Sequence, residues 1–170
     1  MQEIRDIEEK YKNLLKGRLS ADTRLSVTCP DFKYPAPLFV YVKSVKTEKT
    51  IAVRLDGVDK TMRFWDYVDD DYSEEDGVWA EMTEEGLEKF IKKLYTVMNK
   101  AFDIEFFSAD GECDDYLSGI AGFEFTAENA CKAVKKAGRQ VEFVIAKFSD
   151  FFGEVQYAFD KSFRQVTLKK

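Results

Sequence analysis

The chain has no histidine in its 170 residues, and that single absence excludes more chemistry than any motif present suggests. Ser-His-Asp and Cys-His catalysis fall away, as do the HExxH metalloprotease helix and the mixed cysteine-histidine zinc sites. Cysteine is scarce too: Cys29, Cys113 and Cys131 are odd in number and form no close pair, so a reducing, cytoplasmic setting is expected and no disulfide framework. No stretch approaches the ~18 consecutive apolar residues of a membrane span. Met1-Gln2-Glu3-Ile4-Arg5-Asp6 has no apolar signal core, so neither a secretory leader nor a membrane role is expected. The GxxxxGK[ST] phosphate loop is missing, and the glycines do not follow dinucleotide-binding spacing. No cofactor and no metal are expected.

What is present suits a globular protein. Hydrophobic residues make up 45 % and charged residues 34 % of the chain, and a chain this long buries roughly 70 % of the surface its unfolded form exposes. The 15 phenylalanines supply large side chains for that core. A single compact domain over residues 1–170 is expected.

Periodicity places the elements. Ile4, Ile7, Tyr11, Leu14 and Leu15 recur at helical spacing, with Gly17 as the expected left-handed terminator. Leu25, Val27 and Cys29, then 38–45, then Ile51, Val53 and Leu55 before Asp56-Gly57, then Met62 and Phe64, read as four strands in antiparallel succession. Thr83 is placed to cap a second helix with Leu87, Phe90, Ile91, Leu94 and Met98 as its buried stripe. A strand through Phe102, Ile104 and Phe106 follows. Thr126 then caps a third helix carrying Ala130, Ala133, Val134 and Ala137, with Gly138 at its end. The last residues read as a meander of 141–148, 154–159 and 165–168. The run 141–148 is apolar on both faces, which predicts a central strand. The Phe151-Phe152 pair in the turn beyond it is expected in the core. The fold class is therefore α+β, a mainly antiparallel sheet of about 7–8 short strands with three helices. The halves 1–80 and 81–170 each open with a long helix and continue with about four strands, which raises the alternative of two similar α-β4 repeats.

The most informative stretch is 66–88. It holds 11 acids and neither Lys nor Arg, which leaves a net +5 on the rest of a chain whose total is −6. Glu84, Glu85 and Glu88 belong to the opening turns of the second helix, whose amino end favours negative charge. The clusters Asp69-Asp70-Asp71 and Glu74-Glu75-Asp76 fall in an expected loop, interleaved with Trp65, Tyr67, Tyr72 and Trp79. Aromatic anchors within a charged rim are what protein interfaces use, so these ten residues form the candidate partner-binding set. The alternative of a solvated loop stands beside it. A calcium loop is a poor fit: counted from Asp69, the sixth position is Glu74 where glycine is required and the twelfth is Ala80 where a bidentate glutamate is required. Paired-carboxylate catalysis needs one acid with a raised pKa in an apolar cleft, which a solvated cluster does not supply.

Elsewhere the signals are weaker. Cys113 sits among acids, which disfavour its thiolate, and has no histidine as base. Its Gly-punctuated loop, 110–122, reads as structural. Lys132, Lys135, Lys136 and Arg139, with Lys161, Arg164, Lys169 and Lys170, read as the polar face of a helix and a charged terminal strand. The sequence pI of about 4.9 argues against direct nucleic-acid contact. The expectation is a small, acidic, non-enzymatic inhibitor or immunity-type protein that engages a basic surface on a protein partner, with mimicry of nucleic-acid charge as its specific form. A small-molecule-binding domain with an aromatic-lined pocket is the alternative, and a His-independent enzyme the second alternative.

Overall fold

The computed structural model describes residues 1–30, 37–65, 78–100, 103–107, 113–117, 126–137 and 143–167. The class is α+β, as expected, with antiparallel pairing in two five-stranded sheets. The chain divides into two compact units, Met1–Thr96 and Val97–Lys170.

The first unit opens with α1 (Gln2–Ser20) and continues through β1 (Leu25–Thr28), β2 (Leu38–Ser44), β3 (Thr50–Asp56), β4 (Thr61–Trp65) and β5 (Trp79–Glu81), paired in that order. Helix α1 runs through Gly17 instead of ending there. Leu19 is the reason, because it extends the buried stripe of Tyr11 and Leu15 by one more turn. An α-helical glycine costs about 1 kcal/mol against alanine, and burial of Leu19 offsets it. Helix α1 packs on β1, β2 and β3, whose inward positions Leu38, Val40, Val42, Ile51, Val53 and Leu55 are all buried.

One polar contact fixes the entry of α1. The buried Glu8 carboxylate accepts a hydrogen bond from Gly57 N at 2.9 Å, and Arg5 Nη1 lies 3.6 Å from its other oxygen. Gly57 sits so close beneath the helix that a Cβ there would lie 2.6 Å from the Ile4 carbonyl oxygen. The β3–β4 turn therefore requires glycine for close approach.

Helix α2 (Glu84–Met98) begins as predicted: Thr83 Oγ1 accepts from Gly86 N at 2.9 Å. Its expected stripe of Leu87, Phe90, Ile91, Leu94 and Met98 is buried, with Val97 added. Within the first unit, Arg18 reaches Glu88. The Asp22 carboxylate accepts from Tyr95 OH at 2.8 Å and from Arg24 Nη2 at 2.8 Å.

The second unit contains β6 (Asp103–Phe107), β7 (Cys113–Leu117), α3 (Ala127–Ala137), β8 (Phe143–Ser149), β9 (Glu154–Asp160) and β10 (Gln165–Val166), in the order β10-β9-β8-β6-β7. Strand β8 is the middle strand, as predicted, although one of its faces is not apolar throughout but carries Lys147. Thr126 Oγ1 caps α3 by accepting from Asn129 N at 3.1 Å. The small residues Ala130 and Ala133, with Val134, let the helix approach Ile104, Phe106, Ala146, Phe148 and Phe159 in one buried cluster. On the opposite face of β8, Lys147 Nζ lies 3.5 Å from Glu105 and 3.0 Å from Glu154. Phe151 is fully buried and Phe152 half-buried, and Asp150 holds their turn by accepting from Phe152 N and Gly153 N, each at 2.7 Å.

Ten strands are thus described, against the 7–8 expected. The additions are β5 and β7. Gly138 lies outside the described residues.

Candidate partner-binding surface

The candidate surface is built on β4, β5 and the start of α2. Strand β5 is only three residues long and alternates exposed, buried, exposed, so Trp79 and Glu81 point outward while Ala80 joins the core. Trp79 is 45 % exposed, the largest aromatic ring on the described surface to be so. The turn into α2 is tight: a Cβ on Gly86 would lie 2.0 Å from the Glu81 carbonyl oxygen. That contact fixes Glu81 beside the exposed Glu84 and Glu85 of the first helical turn.

Strand β5 forms one edge of its sheet, and its outward carbonyls are engaged. The outward carbonyl of Trp79 accepts from Lys93 Nζ at 3.2 Å, and that of Glu81 accepts from Thr83 N at 2.8 Å. Edges blunted in this way resist strand addition.

The outward face of the sheet extends the surface. Strand register aligns Phe39, Arg54, Arg63 and Trp79 in one row across β2, β3, β4 and β5. Phe39 and Tyr41 stack along β2 with centroids 6.2 Å apart. Each arginine is answered by an acid of the same hairpin, Arg54 by Asp56 at 3.2 Å and Arg63 by Asp59 at 3.9 Å. The arginines of this row are therefore matched by acids, and Phe39 and Tyr41 on the same face are half-buried.

The acids at the helix start are already in use. Glu85 pairs with Lys89 at 2.7 Å and Glu88 with Arg18, and those hydrogen bonds hold both carboxyls below the usual range. Glu85 is thus paired within α2, and Glu88 with Arg18 of α1. Of the candidate set, Trp79 is placed with its side chain and Trp65 as backbone of β4. Tyr67, Asp69, Asp70, Asp71, Tyr72, Glu74, Glu75 and Asp76 lie outside the described residues.

The row Phe39-Arg54-Arg63-Trp79 was not foreseen. Its only sequence signal is the alternation of β2 and β3, which gives outward positions but not their register across four strands. Among the described residues, no three carboxylates or thiols converge on a point that could hold a metal ion, and no helix is long and apolar enough to cross a membrane. Cys131 is a thiol whose Sγ–H donates to the Phe163 carbonyl at 3.5 Å. No family model, curated protein or solved structure matches the chain.

Proposed function

We propose that this is a small, acidic, non-enzymatic binding protein of the inhibitor or immunity type, working in the cytoplasm, whose segment from Trp65 to Trp79 engages a basic surface on another protein. The observation that carries the reading is the run of 11 acids within 66–88 without a single Lys or Arg, in whose described part Trp79, Glu81 and Glu84 are exposed. Carboxylates gain nothing from crowding together in water, where they repel one another. Against a basic surface the same crowding steers encounter and rejects acidic competitors. Trp79, with Phe39 and Tyr41 on the adjoining face, supplies the apolar contact that charge alone lacks. A partner groove that ordinarily holds phosphates suits this pattern, because spaced carboxylates present the same sign of charge.

The test is capture from the native host's lysate with the intact chain beside the variant carrying Asp69→Lys, Asp70→Lys, Asp71→Lys, Glu74→Lys and Glu75→Lys. The intact chain is expected to retain one stoichiometric partner at low salt. The variant should lose it while its thermal midpoint barely moves, since surface substitutions away from packed features change stability by about 0.5 kcal/mol or less each. Equal retention by both chains refutes the proposal.

A further inference from the structure

The second unit carries the opposite charge in concentrated form. Lys135 and Lys136 are exposed in the last turn of α3, and Lys161 and Arg164 are exposed in the turn joining β9 to β10. Phe163 brings the two elements together. Its ring lies under Lys135 Nζ, 5.6 Å from the centroid, and its carbonyl accepts from Cys131 of α3. The residue is held at φ 60, a left-handed conformation that bulky side chains rarely adopt.

The local acids do not neutralise this patch. Glu128 pairs with Lys132 at 2.8 Å. The Asp160 carboxylate accepts from Ser162 N at 2.8 Å and Arg164 N at 3.0 Å, so it serves the turn. Five cations thus share one surface with two carboxylates, and Lys136, Lys161 and Arg164 have no ion-pair partner among the described residues. Like charges on one surface repel, and an anion seated among them removes the repulsion.

We infer that the patch of Lys135, Lys136, Lys161 and Arg164 is a docking site for the acidic run 66–88 of a second copy of this chain. Charge complementarity selects the occupant. Its stretch 66–76 offers seven carboxylates and no Lys or Arg, which matches in sign a patch whose own acids are already engaged. A contact between two different surfaces of identical chains is heterologous: it closes into a dimer when made twice, and otherwise extends. The inference rests on reading 66–88 as a binding surface.

Light scattering and sedimentation of the full chain at ~0.01 M and ~0.15 M salt test it, because the Debye length falls from ~30 Å to ~8 Å between them. At the lower salt the apparent mass should rise from 19.7 kDa towards twice that value, and return to the monomer at the higher. Lys136→Glu, Lys161→Glu and Arg164→Glu together leave the Lys135–Phe163 contact in place and should abolish association. So should the five-lysine reversal of the acidic run. An equimolar mixture of the two variants should associate again, because each then carries the sign that the other lacks. A monomeric intact chain at both salts, or a mixture that stays monomeric, overturns the inference and assigns the patch to a different anion. The lysate capture separates this failure from failure of the functional proposal: the patch variant keeps 66–88 intact and must still retain the target.

Discussion

The two units solve one problem, seating a helix on a five-stranded antiparallel sheet, by different means. Helix α1 is long and rests on large side chains, Tyr11, Leu15 and Leu19. Polar contacts set its position: Glu8 on Gly57 N, Arg18 on Glu88, and the Asp22 junction with Arg24 and Tyr95. Helix α3 is short and presents Ala130, Ala133 and Val134 to a sheet that supplies Phe106, Phe148 and Phe159. Bulk lies in the helix in one unit and in the sheet in the other. A helix standing off on long side chains has freedom to slide and needs pins, whereas one resting on alanines is positioned by contact itself.

The largest effect should come from removing the sheet's bulk in the second unit. Phe148→Ala takes a fully buried ring from beneath α3 and should cost about 3–5 kcal/mol. Urea denaturation followed by circular dichroism reads it, since both tryptophans, Trp65 and Trp79, lie in the first unit and their fluorescence reports there. A loss below about 1 kcal/mol, smaller than most core truncations, would show that α3 does not depend on close contact.

The next pair of substitutions exchanges the two devices. Ala133→Leu puts bulk where α3 has none and should cost about 1–3 kcal/mol by overpacking. Glu8→Ala removes the pin from α1, strands the buried Gly57 N–H, and should cost about 1–3 kcal/mol. Their signatures differ. Glu8→Ala should speed hydrogen exchange at Gly57 and the β3–β4 turn, while Ala133→Leu leaves that amide unchanged.

Much of this contrast is legible in the sequence. The caps at Thr83 and Thr126, the apolar stripe of α2, the Ala-rich face of α3 and the central place of β8 all follow from local pattern. The errors share a physical cause. Gly17 reads as a stop only until Leu19 is known to be buried, and Trp79-Ala80-Glu81 is too short for alternation to register. Cys113–Leu117 contains two adjacent aspartates that lower strand propensity, yet β6 pairs with it. The basic patch joins Lys135 to Arg164, and the aromatic row joins Phe39 to Trp79. Tertiary packing makes both, and no local window contains either.

The Asp22 junction gives a smaller, pH-dependent effect that belongs to the first unit alone. Hydrogen bonding from Arg24, with Tyr95 adding to it, holds the Asp22 carboxyl well below its usual range. Its contribution is therefore complete above an ordinary carboxylate pKa of ~3.9 and declines as pH falls from there. Tyr95 is pushed up to about 12 by burial and by its bond to Asp22. Its contribution is complete below the unfolded value of ~10 and is lost as pH rises from there towards 12. Tyr95→Phe should lower stability at neutral pH by about 1 kcal/mol, an ordinary hydrogen bond, and should flatten the decline above pH ~10. An unchanged alkaline slope in urea titrations would remove this junction from the set of pins.

The smallest effect compares the turns themselves. The hairpin turns at Lys60 and Phe163 each hold a non-glycine residue in the left-handed region, at φ 53 and φ 60. Lys60 is exposed, so its side chain returns nothing for the strain. Lys60→Gly should raise stability by about 0.5–1 kcal/mol, the steric penalty of ~1–2 kcal/mol less the extra chain entropy of glycine. Phe163 is half-buried against the α3 cluster and lies under Lys135. Phe163→Gly relieves the same strain yet should lower stability by about 1 kcal/mol, because ring burial is worth more than the relief. Thermal midpoints of the two variants should consequently move in opposite directions. If both rise, Phe163 is not the anchor that holds its turn against α3, and the second unit fastens its helix by the alanine face alone.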